Sequence, residues 1–266
     1  MVDDGVERLR RWRDEQRGVP PAVGRLGAEL VSVARGTTRV CLPLVPELLL
    51  PDGGPSGAVT ALLADIALTT SVIASLPDLR GVTTISVTVD HHGLPPPAGA
   101  MTSTCTASRY DGEGPQHAAG VLHDDTGRLV ATVSGWFLAA PAEALAVDRV
   151  GLVLEPPADH LLDLLRIDDG PAFDLVVRDA LSNALGSLHG GIGALATQLA
   201  ATAALSAGAV PLSSAFSYLR PTPRDGAVRV EGQVVRQGRR TGVAGSTMVG
   251  PDGRAVVTST QVAVMP

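Results

Sequence analysis

The chain carries one pattern twice, and this internal repeat constrains the fold more than any other feature. Residues 56–74 read SGAVTALLADIALTTSVIA, and residues 189–207 read HGGIGALATQLAATAALSA. Aligning Gly57 with Gly190, at an offset of 133, brings Asp65 onto Gln198. Later segments align at offsets of 127 and 126, and the order of elements does not change. Each Ala/Leu run is apolar on all sides for about 18 residues, which predicts a buried helix.

Alternating β-branched runs follow both helices. In the first half they are ISVTVDHH, AMTSTCTASR, GVLHDD and RLVATVSGWFLA, and in the second SSAFSYL, AVRVEGQVVR, TGVAGSTMV and RAVVTSTQVAVM. Gly, Pro and Asp separate these runs, which is typical of antiparallel strands and hairpins. Because no helix stands between successive strands, a parallel, doubly wound sheet is disfavoured. The sequence predicts an α+β fold in which an antiparallel sheet wraps one long buried helix, twice over.

Composition and charge exclude several classes of protein. Hydrophobic residues make up 45% of the chain and the formal net charge is only -6, so general disorder is not expected. The acidic balance argues against a nucleic-acid partner, which needs a basic face. The chain is charged just after Met1 and Asp65 interrupts its longest apolar stretch, so we expect no signal peptide, no membrane span and a cytoplasmic location. Cys41 and Cys105 are too few for a disulfide framework and are expected to be free thiols.

Several motifs of the second half carry a family resemblance. Leu-His-Gly-Gly-Ile-Gly-Ala-Leu at 188–195, Asn183 six residues before the His, the strand-opening LRPTPRDG and the closing GPDGRAVVTST resemble the PaaI-type acyl-CoA thioesterases of the hotdog superfamily. The resemblance covers most of residues 25–266 as two fused copies and implies a tandem (double) hotdog. The resemblance gives a first hotdog domain (25–141) and a second one (142–266), and the charged residues before them predict an amphipathic N-terminal helical extension (1–24). The resemblance also implies an acyl-CoA substrate and a homodimer of double hotdogs.

Thioester hydrolysis needs hydrogen-bond donors for the developing oxyanion and a carboxylate that attacks or activates water. Gly190 and Gly191 stand where the second long helix should begin, where backbone N–H groups are unpaired and the helix dipole favours an anion. Without a Cβ, both glycines let a substrate carbonyl approach the backbone closely. The resemblance assigns Gly190 N–H and Asn183 to the carbonyl with His189 in support, and we expect Gly191 to contact the substrate.

The acid of the family lies eight residues after the first Gly of its motif. That position is Gln198 in the second half and Asp65 in the first half. Eight helical residues span ~12 Å, so one helix cannot supply both the oxyanion donor and the base. In a hotdog pair the two long helices run antiparallel side by side. We therefore predict one composite site, in which Asp65 faces Gly190, His189 and Asn183.

The opposite end of the helix pair is predicted to be a decayed pseudo-site. There Gln198 would meet Ser56 and Gly57, which replace the HGG segment, and Leu50 stands where the Asn would be. This end lacks both the carboxylate and the Asn.

Hydroxyl and arginine side chains complete the predicted site. The resemblance places a water-orienting hydroxyl 18 residues after the acid, which selects Thr83 as catalytic. Thr84 is expected to contact the substrate instead if the strand slips by one residue, because neighbouring strand residues point to opposite faces. The basic hairpin VVRQGRRTG could bind the phosphates of CoA or be a solvated turn, and its arginines are Arg236, Arg239 and Arg240.

Each candidate also has a purely structural interpretation, and other functions stay open. Asp65 could cap a loop, His189 could bond a loop carbonyl, and Asn183 is common in turns. A hotdog-type enoyl-CoA hydratase or dehydratase, with His189 as base and Asp65 as acid, is one alternative, although its usual motif is absent. A non-catalytic acyl-thioester binding protein is another. The leading hypothesis is an acyl-CoA thioesterase with Asp65 as general base or nucleophile, and we expect no metal and no cofactor beyond the CoA of the substrate.

Overall fold

The structure, a computed structural model, describes residues 4–78, 80–108, 114–140, 155–222, 224 and 226–266. The strands of the first half are β1 (Glu29–Ala34), β2 (Thr37–Pro43), β3 (Val82–His91), β4 (Ala100–Ala107), β5 (Pro115–Asp124) and β6 (Leu129–Ala139). Those of the second half are β7 (Ala172–Val176), β8 (Val210–Tyr218), β9 (Ala227–Gln237), β10 (Thr241–Val249) and β11 (Ala255–Val264). They form one antiparallel sheet in the order β1-β2-β4-β5-β6-β3-β8-β11-β10-β9-β7. The halves join at the β3–β8 pair, so a continuous sheet serves both copies.

Two long helices pack against this sheet and against each other. They are α3 (Gly57–Ser75) and α5 (Gly190–Ala204). By length and composition α3 could cross a membrane, but nearly all of it is buried inside the fold, as in the core helix of a globular protein. Gly57 at the start of α3 lies beside Gln198 in α5, and Gly191 at the start of α5 lies beside the Leu62 carbonyl in α3. Since each helix begins beside the middle of the other, the pair is antiparallel, as predicted.

A polar side chain caps each long helix. The Ser56 hydroxyl accepts a hydrogen bond from the Ala58 N–H at 3.2 Å at the start of α3. At the start of α5, His189 Nδ1 accepts one from the Gly191 N–H at 3.0 Å. These caps satisfy one of the orphan donors at each N-terminus and fix where each helix begins.

The N-terminal extension packs onto the first half. It consists of α1 (Gly5–Glu15) and α2 (Pro21–Arg25), where the sequence predicted a charged amphipathic helix. Leu9 and Trp12 are buried on one side of α1, which contacts α3 and β1. Gly5 sits directly on the last turn of α3, because a Cβ there would lie 1.8 Å from the Ile73 carbonyl oxygen. The extension is therefore part of the core of the first half.

Three strands precede the long helices, where the sequence analysis expected each half to begin with its helix. A tight turn with Gly36 at φ 71° joins β1 and β2, and β7 forms the far edge of the sheet after the short helix α4 (Leu161–Leu165). The predicted boundary between residues 141 and 142 lies outside the described residues. Cys41 and Cys105 are free thiols, as predicted.

Candidate active site

The antiparallel helix pair places the carboxylate of Asp65 at the start of α5. A Cβ on Gly190 would lie 2.8 and 2.9 Å from the two Asp65 oxygens and 3.0 Å from the Thr84 hydroxyl. His189 Nδ1 lies 3.5 Å from Asp65 Oδ2. Asp65 and Thr84 come from the first half of the chain and His189 and Gly190 from the second. We call these four residues the composite site; both halves contribute to it, as the sequence predicted.

Asp65 is held from two sides. Asp65 is only 1% exposed, and its Oδ1 accepts a hydrogen bond from the Thr84 hydroxyl at 2.7 Å. Its Oδ2 faces His189 Nδ1, which already accepts the Gly191 N–H. The proton of a neutral His189 ring is then on Nε2. The single lone pair of Nδ1 is therefore already used, and the Gly191 N–H also interacts with the Asp65 carboxylate.

Burial governs the electrostatics of this pair. It raises the pKa of Asp65 above its ordinary value, although His189, the Thr84 hydroxyl and the Gly191 N–H oppose the rise. It lowers the pKa of His189, and Asp65 opposes that fall. Both shifts favour the neutral forms. A buried carboxylate with a raised pKa is a better proton acceptor than an exposed one, which is the property required of a general base.

Tyr218, which the sequence analysis did not select, fixes the start of α5. It is the last residue of β8, and its hydroxyl donates a hydrogen bond to the Gly190 carbonyl at 2.9 Å. The same peptide unit supplies the Gly191 N–H that binds His189. Burial, with the nearby charge of Asp65, raises the pKa of Tyr218 well above its ordinary value, so the hydroxyl keeps its proton. The only sequence feature that could have pointed to Tyr218 is that it is one of two tyrosines in the chain.

The structure corrects the choice between Thr83 and Thr84. The Thr83 hydroxyl donates to the Leu138 carbonyl of β6 at 3.2 Å, away from the composite site. Thr84 has the opposite orientation and bonds Asp65. The spacing carried over from the family misses by one residue, and on a strand one residue reverses the face.

Asn183 organises the loop before α5. Its Oδ1 accepts from the backbone N–H groups of Leu185 and Ser187 at 2.9 and 3.2 Å. Its Nδ2 donates to the Ser187 hydroxyl at 3.0 Å and to the Leu188 carbonyl at 3.4 Å. Because the amide is used within its own turn, it positions His189 and is not turned toward the composite site as the predicted carbonyl donor.

The pseudo-site at the other end of the helix pair consists of Gly57, Gln198, Pro211 and His91. Pro211 Cγ would lie 2.6 Å from a Cβ on Gly57, so a proline covers this helix start where Thr84 stands at the composite site. Gln198 occupies the position of the carboxylate, with its Nε2 3.4 Å from His91 Nε2. Burial lowers the pKa of His91 to about 4, which keeps the ring neutral at physiological pH.

The arginine hairpin lies far from the composite site. Arg236, Arg239 and Arg240 are exposed at the β9–β10 turn. The side chain of Gln237, in the same turn, accepts a hydrogen bond from the Ser206 N–H, two residues after the C-terminal end of α5. Gly190 is at the other end of this 15-residue helix, which is ~22 Å long. The three arginines do not line the composite site, and their role in binding the CoA phosphates stays a prediction.

Comparisons with known proteins agree with this architecture. Residues 179–265 match the family described as acyl-CoA thioesterase N-terminal domain. This is the thioesterase assignment that the resemblance predicted, made for the second half of the chain. A search of the curated proteins found no match.

Solved structures show the same double hotdog fold over most of the chain. The tesB protein of Mycobacterium avium subsp. paratuberculosis is 12% identical, with a TM-score of 0.65, covering 92% of this chain and 98% of that one. An acyl-CoA thioesterase II from Mycobacterium marinum is 12% identical, with a TM-score of 0.57 and coverages of 91% and 96%. A 12:0-ACP thioesterase from Umbellularia californica is 11% identical, with a TM-score of 0.59 and coverages of 86% and 94%. At this identity the likeness establishes the fold, and the predicted tandem hotdog is confirmed.

Metal ligation is a separate question. In the part of the chain that the structure describes, no three His, Cys, Asp or Glu side chains come together in a group that could hold a metal ion.

Proposed function

We propose that the composite site hydrolyses acyl-CoA thioesters. The observation that carries this proposal is the contact between Asp65 of the first half and the start of α5 in the second half. The contact joins a buried base to a helix N-terminus, the two groups that thioester hydrolysis requires. The match of residues 179–265 to an acyl-CoA thioesterase family supports CoA as the thiol part of the substrate.

Asp65 acts as the general base. The thioester carbonyl lies at Gly190, and a water molecule lies between the carbonyl carbon and the carboxylate. Asp65 accepts a proton from this water as the oxygen attacks, which forms a tetrahedral intermediate. When the intermediate collapses, the C–S bond breaks and the carboxyl returns the proton to the CoA thiolate. The products are a carboxylic acid and free CoA, and Asp65 ends ionised as it began.

The start of α5 stabilises the negative oxygen. The Gly190 N–H is the first of the helix and has no acceptor among the described residues, so it is free to bind the oxyanion. A Cβ at this position would lie against the Asp65 carboxylate and fill the space that the carbonyl needs. Every step uses groups of the chain itself, so the proposal requires no metal or redox cofactor.

Three finer assignments belong to the same proposal. The Leu-His-Gly-Gly segment at 188–191 and Asn183 favour the PaaI type within the thioesterases. The free thiols of Cys41 and Cys105 favour a reducing compartment such as the cytoplasm. Exposed apolar side chains on β6, Trp136 and Leu138, favour a homodimer that covers them, which light scattering coupled to gel filtration tests.

A thiol-release assay on a series of acyl-CoA substrates tests the proposal. We expect free CoA to appear with the wild-type chain and to be lost in D65N. Loss of the enoyl absorbance of crotonyl-CoA without thiol release would indicate a hydratase instead. A rise in melting temperature with acyl-CoA but without turnover would indicate a binding protein.

A further inference from the structure

The N-terminal extension and α3 enclose a cavity that ends at the composite site. Its volume is about 40 Å³. Six residues of its wall matter here, and they are Leu9, Trp12, Ile66, Thr69, Ile73 and His189. The ring of His189 forms one end of the cavity and contacts Asp65. An acyl chain that extends from a thioester bound at Gly190 has this cavity beside it.

Two polar atoms in this wall have no partner. Trp12 Nε1 and Thr69 Oγ1 are both buried, and neither has a hydrogen bond among the described residues. The indole N–H can only donate, whereas the hydroxyl can donate and accept. Leu9, Ile66 and Ile73 offer these atoms only hydrocarbon. Buried donors are rarely left unpaired, because they lose their hydrogen bonds to water and gain none in return.

The other hydroxyl in the wall behaves differently. Thr70 donates to the Ala67 carbonyl at 2.9 Å and also contacts the Thr38 hydroxyl at 3.0 Å. The helix therefore does satisfy a neighbouring threonine. Within α3 the Thr60 hydroxyl is also without a partner among the described residues, so the unpaired hydroxyl of Thr69 matters because it faces the cavity together with Trp12 Nε1.

The place of Thr69 sets the position of the oxygen it would bind. Thr69 follows Asp65 by four residues, so the two side chains lie on the same face of α3, about one turn or ~6 Å apart. A thioester carbon held beside Asp65 is then a similar distance from Thr69, which an extended acyl chain spans in roughly four to five covalent bonds. The cavity has room for about three groups the size of a water molecule, so it admits only the end of a short acyl chain.

We propose that this cavity is the acyl pocket and that it selects short acyl groups bearing a hydroxyl or oxo oxygen near their far end, bound by the Trp12 indole N–H and the Thr69 hydroxyl. The selectivity rests on the proposed thioesterase function. It also gives the N-terminal extension a role in the site, because α1 supplies the donor.

Matched substrates test this selectivity. We compare pentanoyl-CoA with its analogue that carries an oxo group on the penultimate carbon, whose oxygen is four bonds from the thioester carbon. We expect kcat/KM to be about tenfold higher for the oxo substrate, the worth of one good hydrogen bond. In W12F, which keeps an aromatic ring but lacks the N–H, the ratio should fall to within about twofold of unity. T69V should reduce the ratio as well, and it provides a second variant if W12F folds poorly.

The chain offers its own control. Trp136 is the other tryptophan and is 49% exposed on β6, whereas Trp12 is 2% exposed. W136F should keep the wild-type ratio. Equal kcat/KM for the two substrates in the wild type, or an unchanged ratio in both W12F and T69V, would overturn the proposal and assign the two polar atoms to a buried water molecule.

A binding readout separates this proposal from the proposed function. If neither substrate is hydrolysed, the thioesterase function fails, and fluorescence decides the selectivity. W136F has Trp12 as its single tryptophan, so its emission reports on the cavity. Tighter binding of the oxo analogue in this variant would support the selectivity, and equal affinity for the two compounds would refute it.

Discussion

Replacing Asp65 by Asn separates a catalytic carboxylate from a structural one. The new amide has the shape of the carboxyl group, so its oxygen can still accept from Thr84. The fold is therefore expected to tolerate D65N, while the base is lost. Loss of a positioned general base costs a factor of about 10² to 10⁴ in kcat.

The same variant should be more stable than the wild type at neutral pH. Burial raises the pKa of Asp65 in the folded chain, so the folded state binds a proton more tightly than the unfolded state. The stability that Asp65 contributes is then complete below its ordinary pKa and is lost as the pH rises through the raised pKa. Each pKa unit of elevation corresponds to ~1.4 kcal/mol, and 1 kcal/mol moves the melting temperature of a chain of this size by ~2–4 °C. The difference in melting temperature between D65N and the wild type should vanish as the pH falls.

Asp124 provides the matched control. Its carboxylate accepts hydrogen bonds from the Thr126 hydroxyl at 2.6 Å and from Arg128 Nε at 2.8 Å. These bonds hold the pKa of Asp124 well below its ordinary range, so its contribution to stability is present at neutral pH and is lost in acid. D124N should therefore melt earlier than the wild type at neutral pH and keep its activity, the reverse of D65N on both counts.

Thiol release and thermal melts across pH measure both effects. In the wild type, kcat/KM should fall on the acid side at a pH above the ordinary pKa of an aspartic acid, because the base must be ionised. A D65N variant that keeps more than about a tenth of wild-type kcat, or that melts earlier than the wild type at neutral pH, would refute the role of Asp65 as a buried base.

Five further variants test the rest of the site. T84V should lower kcat by about ten- to hundredfold because it removes a hydrogen bond to a charged group. T83V should keep the wild-type kcat, because the Thr83 hydroxyl bonds β6. Equal losses of kcat in both variants would contradict the assigned strand faces. G190A places a methyl group against the carboxylate and should lower kcat by about a hundredfold. G193A, whose Cβ would lie at the ordinary distances of 3.4 Å from Val257 and 3.7 Å from Tyr218, should keep its activity and gain up to ~1 kcal/mol of stability from helix propensity. Similar kcat values in the two glycine variants would count against the oxyanion site. R240A should change kcat/KM by less than about twofold, and a large rise in KM would restore the hairpin as a CoA site.

Local sequence patterns were enough for the long helices and for the strands that follow them. The Ala/Leu runs are apolar on every side, and only a buried helix needs apolar residues all round. For this reason α3 and α5 were predicted close to where they lie. The strands β1 and β7 were not predicted because they are short and lie at the sheet edges, and β2, which lies between β1 and β4, was not predicted either. The composite pairing of Asp65 with Gly190 followed from the unequal repeat, in which each half keeps what the other lacks.

Side-chain direction was settled only by the tertiary structure. Whether Thr83 or Thr84 reaches Asp65 depends on which face of β3 meets α3. A spacing rule has an error of one residue, and neighbouring residues of a strand point to opposite faces of the sheet. Asn183 has a side chain that suits a carbonyl donor, but its loop closes around it and consumes its hydrogen bonds. Tyr218 and Trp12 come from β8 and α1, far from the repeated motif in sequence. Their places at the site are set by packing between elements, a property that no local pattern encodes.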